Sequence, residues 1–229
     1  MMKSAVLFTG GKDSTYAMHR AMQEGYEIGC LLTLISDNPD SYMFHTHNIG
    51  LVKRQAEAMQ LPLLTFETKG EKEEELDDLK EAIKFAIDKH GIESIVVGAI
   101  ASRYQHDRVT AIADELKINV FSPLWQAGPE QYMKDLVSAG FEVIIASISA
   151  EGLTKDMLGK RIDSSMISTL SELNKKTGVH IAGEGGEYES FVIDGPVFKK
   201  KLSITDSEIV MEKENTGKLM IKKVELADK

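Results

Sequence analysis

"AVLFTGGKDSTYAMHR", residues 5–20, passes through three textures in a few positions. An apolar run, Ala5 to Phe8, breaks into two glycines, a lysine, an aspartate and a serine. Beyond them Tyr16, Ala17, Ala21 and Met22 fall on one helical face. A short buried strand that turns through glycines into a helix opens a strand–helix unit. In an open parallel sheet such a turn lies at the carboxyl end of the strand, where ligands bind.

The units that follow repeat the pattern. Ile28 to Ile35, "LPLLTFE" (61–67), "SIVVGAIAS" (94–102) and "INVFSPLW" (118–125) read as strands. Between them lie helical segments: Ile49 to Met59, the stretch 70–91 with Leu76, Leu79, Ile83, Ala86 and Ile87 at 3-4 spacing, and one carrying Val109, Ile112, Ala113 and Leu116. Gly91 reads as a helix C-cap. The alternation predicts an α/β fold, a parallel twisted sheet with helices on both faces in a Rossmann-like arrangement. After Trp125 the texture changes. Helices over Gln131 to Ser138 and Ser164 to Lys176, the strand "FEVIIASIS" and alternating tail segments predict a smaller mixed α+β part with antiparallel strands. Asn215 and Gly217 mark its turn. The boundary is expected near residue 121, dividing the chain into 1–120 and 121–229.

The bulk composition narrows the function classes. The 229 residues carry 36 acidic against 27 basic side chains, a net charge of −9, which argues against a broad nucleic-acid footprint. One cysteine, Cys30, excludes an internal disulfide and suits a reducing compartment. No basic-then-apolar leader opens the sequence, and no apolar run approaches the roughly 20 residues of a membrane span. A cytoplasmic protein without membrane contact is expected; oligomeric state is not legible.

The opening turn suits an anion. Gly10 and Gly11 let the backbone approach a ligand, and the amides beyond them point outward from a helix N-terminus. Lys12 adds a point charge and Ser14 a hydroxyl. Asp13 would repel a bare phosphate, so it either caps the helix or ligates a Mg²⁺ that accompanies the phosphate. This is not a Walker loop, because Val6 stands where that motif needs glycine. A plain Gly-Gly turn with Asp13 or Ser14 as a helix cap remains the alternative. Likewise "MFHTHN" places His45 and His47 two apart, but without cysteine or acidic ligands at zinc-site spacing.

"TGGKDS" (9–14) resembles the Ser-Gly-Gly-x-Asp-Ser pyrophosphate loop of the N-type ATP pyrophosphatases (PP-loop, HUP-type), with Thr9 in place of the usual serine. "DSYMFHTHN" (40–48), "GAIASRYQHDRV" (98–109), "FSPLW" (121–125), "SAEGL" (149–153) and "GEGGEYESFVIDGP" (183–196) are similar to blocks of the diphthine–ammonia ligase family. The resemblance implies an ATP-dependent ligase. It would adenylate the diphthine carboxylate of elongation factor 2, release pyrophosphate, and let ammonia displace AMP to leave diphthamide.

The resemblance also implies residue roles. Thr9, Gly10, Gly11, Lys12, Asp13 and Ser14 would cradle ATP, with Asp13 touching Mg²⁺. Thr33, beside Leu32, is the residue expected against adenine, and Ser102 is expected near the nucleotide. Arg103 or Arg108 would neutralise the α-phosphate. Tyr42, His45, Tyr104, Gln105 and Arg108 would meet the protein substrate. Glu184, Glu187, Tyr188 and Glu189 would form an acidic, aromatic pocket for the trimethylammonium of diphthine. Lys12, Ser14, Arg103 and Glu187 are the expected catalytic groups, and free ammonium the expected nitrogen source. Two other readings stay open: a tRNA-modifying enzyme of the same superfamily, and an adenine-nucleotide sensor that turns nothing over.

Overall fold

A computed structural model of the chain describes residues 1–36, 48–71 and 74–229. The first strand, β1 (Lys3–Leu7), has Ser4, Ala5 and Val6 buried, as the central strand of a covered parallel sheet must be. It leads into α1 (Lys12–Gln23) and β2 (Glu27–Ser36), then α2 (Val52–Met59), β3 (Leu63–Thr68), α3 (Glu74–His90), β4 (Ser94–Val96), α4 (Arg103–Leu116) and β5 (Asn119–Phe121). All neighbours pair in parallel, in the order β3-β2-β1-β4-β5. The α/β reading of the sequence therefore holds. Gly91 ends α3 as expected, with φ +63° and its amide donating to Ile87 O.

The strand order decides where a ligand fits. The chain runs outward from β1 to β3, then returns to place β4 on the other side of β1. The connections after β1 and β4 diverge to opposite sides and leave a crevice at the carboxyl edge. Phe8, Thr9, residues 11–14 and 97–99, and Ser102 line that crevice.

The second half supplies α5 (Pro129–Ser138), β6 (Glu142–Ser149), α6 (Ser164–Thr177), β7 (Tyr188–Asp194), β8 (Lys201–Lys213) and β9 (Thr216–Ala227). These strands form an antiparallel sheet in the order β7-β6-β9-β8. The tail turn differs from expectation at one position. It consists of Glu214 and Asn215, whereas Gly217 already pairs in β9. A Cβ on Gly217 would sit 2.8 Å from Val210 O, so this glycine serves close strand approach and not the turn.

Two apolar clusters cover the parallel sheet. One face carries Leu79, Ile83 and Ala86 of α3 with Val109, Ile112 and Ala113 of α4, against Cys30, Leu32 and Leu34 of β2. On the other, Tyr16, Met18 and Ala21 of α1 and Val52 and Met59 of α2 merge into one core with Tyr132 and Leu136 of α5, Ile145 of β6 and Val192 of β7. The antiparallel sheet thus packs onto α1 and α2 without an intervening layer. Among the described residues no helix is long and apolar enough to cross a membrane.

Candidate functional site

Gly11 is the N-cap of α1 with extended backbone and no side-chain cap, so neither Asp13 nor Ser14 caps this helix. Ser14 closes the loop on itself: its Oγ accepts from Thr9 N at 3.2 Å and donates to Gly11 O at 3.3 Å. Thr15 Oγ1 donates to the same carbonyl at 2.7 Å. Lys12 is 2% exposed, an unusual position for an ammonium group. Its Nζ lies 3.0 Å from Asp13 Oδ2 and 5.3 Å above the ring of Tyr188. Asp13 Oδ1 accepts from Tyr132 Oη at 2.8 Å.

The second half completes the loop's supports. Lys12 N donates to Ser190 Oγ at 3.1 Å, so this amide already faces β7. Gly10 O accepts from Val192 N at 3.1 Å and from Gln55 Nε2 at 2.8 Å. On the other flank, Gly98 touches the start of α1: a Cβ there would lie 2.7 Å from both Asp13 C and Ser14 N. Backbone atoms cannot give way as a flexible side chain can. Only glycine lets β4 and α1 meet at this distance.

The third wall is the segment 180–190. Glu187 organises it, accepting from His180 N at 2.9 Å with Oε1 and from Gly185 N at 2.8 Å with Oε2. Tyr188 Oη donates to Ile181 O at 2.7 Å. Glu184 reaches across, its Oε1 accepting from Ala101 N at 2.8 Å and Ser102 N at 2.9 Å just before α4. Ser102 Oγ in turn accepts from Gln105 N as the N-cap of α4.

Together these walls enclose a cavity of about 560 Å³. One end is apolar, lined by Leu7, Leu32, Leu34, Val97 and Val109. The other carries Thr9, Gly11, Lys12, Asp13 and Ser14, faced by Ser102, Gln105, Glu184, Tyr188 and Glu189. These expected residues therefore converge on one space. Burial, followed by the negative charge of Asp13, pushes the phenols of Tyr132 and Tyr188 well above the ordinary tyrosine range. Both remain protonated, Tyr132 as a donor toward Asp13.

Other expected residues lie elsewhere. Thr33 turns away from the cavity, because successive side chains of a strand alternate and Leu32 and Leu34 occupy the cavity side. Its hydroxyl donates to Phe8 O at 2.7 Å and braces β1. Glu187 lies within its own loop and does not line the cavity. Arg103 is exposed, while the Arg108 guanidinium stacks 3.6 Å over the Tyr104 ring on α4. The cation over Tyr188 is the chain's own Lys12. Tyr42 and His45 lie outside the described residues.

Gln55, Gly98, Tyr132 and Ser190 contact the loop and were not singled out from the sequence. Gln55 did leave a signal, as a polar residue among Val52, Ala56 and Met59 on an apolar helical face. Among the described residues no group of three or more His, Cys, Asp or Glu could hold a metal ion. Asp13 is one carboxylate beside a phosphate-type cradle. That donor set fits a Mg²⁺ that takes most of its ligands from phosphate and water.

Comparison with known proteins identifies the family. The diphthamide synthase N-terminal domain matches residues 2–120, and the diphthamide synthase C-terminal domain matches residues 128–227. A diphthine–ammonia ligase of Rattus norvegicus is 39% identical over 92% of this chain and 85% of its own length. That of Homo sapiens is 38% identical with the same coverage, and that of Danio rerio 34% identical over 100% of this chain and 98% of its own. Among solved structures, a predicted subunit of tRNA methyltransferase from Methanocaldococcus jannaschii covers 86% of this chain and 98% of its own. At 16% identity and a TM-score of 0.45, that overlap carries no argument. Both domain matches and relatives of this closeness give one answer: the chain belongs to the diphthamide synthase family, whose members named here are diphthine–ammonia ligases, enzymes that form a carbon–nitrogen bond.

Proposed function

We propose that this chain uses ATP to adenylate the diphthine carboxylate of elongation factor 2 and passes the acyl group to ammonia. The observation that carries the reading is the two-ended cavity. Its apolar end, bounded by Leu32 and Leu34, suits an adenine ring, and its glycine-lined end with buried Lys12 suits phosphates. A carboxylate does not accept ammonia unaided, because its oxygen leaves too poorly. Attack of that oxygen on the α-phosphorus breaks the bond to pyrophosphate and forms an acyl-adenylate. Ammonia then attacks the acyl carbon, AMP departs, and an amide remains after loss of a proton.

In this reading Lys12, Ser14 and the loop amides stabilise the charge that develops on departing pyrophosphate. Their preorganisation is the catalytic contribution, since the loop is already held by Gln55, Ser190 and Val192. The cavity lining holds Lys12 against Asp13, Glu184 and Glu189, an excess of carboxylates that disfavours bare ATP. Asp13 would hold Mg²⁺ alongside the phosphates, and that ion supplies charge neutralisation when bound. Glu184 and Glu189 suit the cationic end of diphthine and an incoming ammonium. Ser102 is proposed to lie near the nucleotide and Gln105, beside it at the start of α4, to meet the substrate. Glu187 acts by holding its loop.

The test is incubation with ATP, Mg²⁺ and ammonium, with and without diphthine-bearing elongation factor 2. AMP and pyrophosphate are expected only with the factor, whose mass falls by about one unit as hydroxyl becomes amide. ATP that binds and stays intact under every condition would indicate a sensor. AMP formed only with tRNA would overturn the substrate assignment.

A further inference from the structure

Gln55 is fully buried on α2, on the face that carries Val52, Ala56 and Met59. Its Nε2 donates to Gly10 O and to Val192 O, each at 2.8 Å. Its Oε1 is buried with no hydrogen-bond partner among the described residues. The side chain is therefore held for its donors, since turning the amide over would set Oε1 against two carbonyl oxygens. The missing partner for Oε1 is a standing cost, of the kind that persists where a buried group has a task.

The task lies in the geometry of one peptide. Gly10 O is fixed from two sides, by Gln55 Nε2 on α2 and by Val192 N on β7. A trans peptide aims its C=O and N–H in opposite directions. With Gly10 O held toward α2 and β7, the Gly11 N–H of the same peptide points the other way, toward the cavity that Gly11 lines. A side chain at Gly10 would be strained and would crowd Gln55. The glycine's φ is +78°, and a Cβ would fall 2.3 Å from Gln55 Oε1.

We propose that Gln55 is a positioning residue of the phosphate cradle: it locks the Gly10–Gly11 peptide so that the Gly11 N–H is presented to a phosphoryl oxygen. The inference rests on the ATP reading above and adds the residue that sets the cradle's polarity. A residue acting this way governs binding of the phosphates and leaves the apolar end of the cavity unchanged.

Adenosine and inorganic pyrophosphate with Mg²⁺ are titrated separately into the full chain and into Q55M by calorimetry, with thermal unfolding recorded alongside. Methionine keeps the volume, removes both donors and removes the orphaned acceptor. Q55M is expected to bind adenosine as the unaltered chain does and to lose at least about tenfold in pyrophosphate affinity, the scale of a lost charge-assisted donor. Q55E, of the same shape, sets a carboxylate against two carbonyls and is expected to lose more; it carries the test if Q55M does not fold. Unchanged pyrophosphate affinity in the folded variant overturns the proposal. So does an equal loss of both ligands, which makes Gln55 a packing residue only. An unaltered chain that binds neither ligand removes the ATP reading itself, a result distinct from the other two.

Discussion

Tyr132 Oη donates to Asp13 Oδ1 at 2.8 Å, joining α5 of the second half to the opening turn of α1 in the first. The bond is buried on the tyrosine side, and it fixes one oxygen of a carboxylate whose other oxygen meets Lys12. Removing the hydroxyl leaves that carboxylate oxygen without its protein donor. Y132F is expected to lower unfolding free energy by about 1.5–3 kcal/mol, the range for hydrogen bonds to charged groups. Urea denaturation measures it.

Lys12 tests the cradle directly. K12M removes a buried ammonium beside the loop and is expected to slow AMP and pyrophosphate formation by about 10²–10³-fold, the usual cost of losing one preorganised electrostatic group. Pyrophosphate release under saturating substrate reads this out, and a rate within twofold of the unaltered chain would remove Lys12 from the chemistry.

Gly98 tests contact between strand and loop. G98A places a methyl 2.7 Å from the backbone of Asp13 and Ser14, so α1 or β4 must shift. The expected cost is about 1–3 kcal/mol of stability, as for other overpacked sites, together with weaker ATP binding. Equilibrium unfolding and nucleotide titration on the same variant check both.

Glu184 bridges two halves of the cavity wall through Ala101 N and Ser102 N. E184A is expected to destabilise the start of α4 by about 0.5–2 kcal/mol, as loss of a capping acceptor does. Amide hydrogen exchange at Ala101 and Ser102 should accelerate, while exchange in β1 stays as it was.

Alkaline pH probes the buried protons. Burial raises the Cys30 thiol from 9.0 to about 11, with Lys3 and Lys89 opposing. A raised pKa means that the folded state keeps a proton which the unfolded state releases. This contribution is complete below pH 9 and is lost as pH rises toward 11, a fall of about 3 kcal/mol at 1.36 kcal/mol per unit. The phenols of Tyr132 and Tyr188, raised in the same direction, add to the loss. C30A is expected to flatten the stability curve between pH 9 and 11. A thiol reagent at pH 8 should find Cys30 only after denaturation.

Local sequence pattern made most of the first half legible because each strand and helix there declares itself within a few residues. Apolar runs of strand length alternate with 3-4 spacing, and the glycines at 10, 11 and 91 fall where the chain turns. The cradle motif was legible for the same reason, being contiguous. What stayed hidden is long-range. Gln55 and Tyr132 act on the loop from 45 and 119 positions away, and nothing in their immediate neighbours names their partners. Thr33 shows a finer limit: the strand was plain, but which of two alternating faces met the cavity depended on packing by α3 and α4. The glutamates of 184–189 looked alike as a cluster and separate only in three dimensions. Glu184 clasps α4, Glu187 holds its own loop, and Glu189 lines the cavity.

The bond from Lys12 N to Ser190 Oγ spans 178 positions of chain, and that span has a consequence for synthesis. At about 5–20 residues per second, the ribosome completes the glycine turn roughly ten seconds or more before the strand that braces it emerges. During that interval the growing chain carries the nucleotide motif without its scaffold. A product cut short before residue 190 would lack the contacts that Ser190 and Val192 make to the loop. Until residue 190 has emerged, the glycine turn therefore lacks this strut.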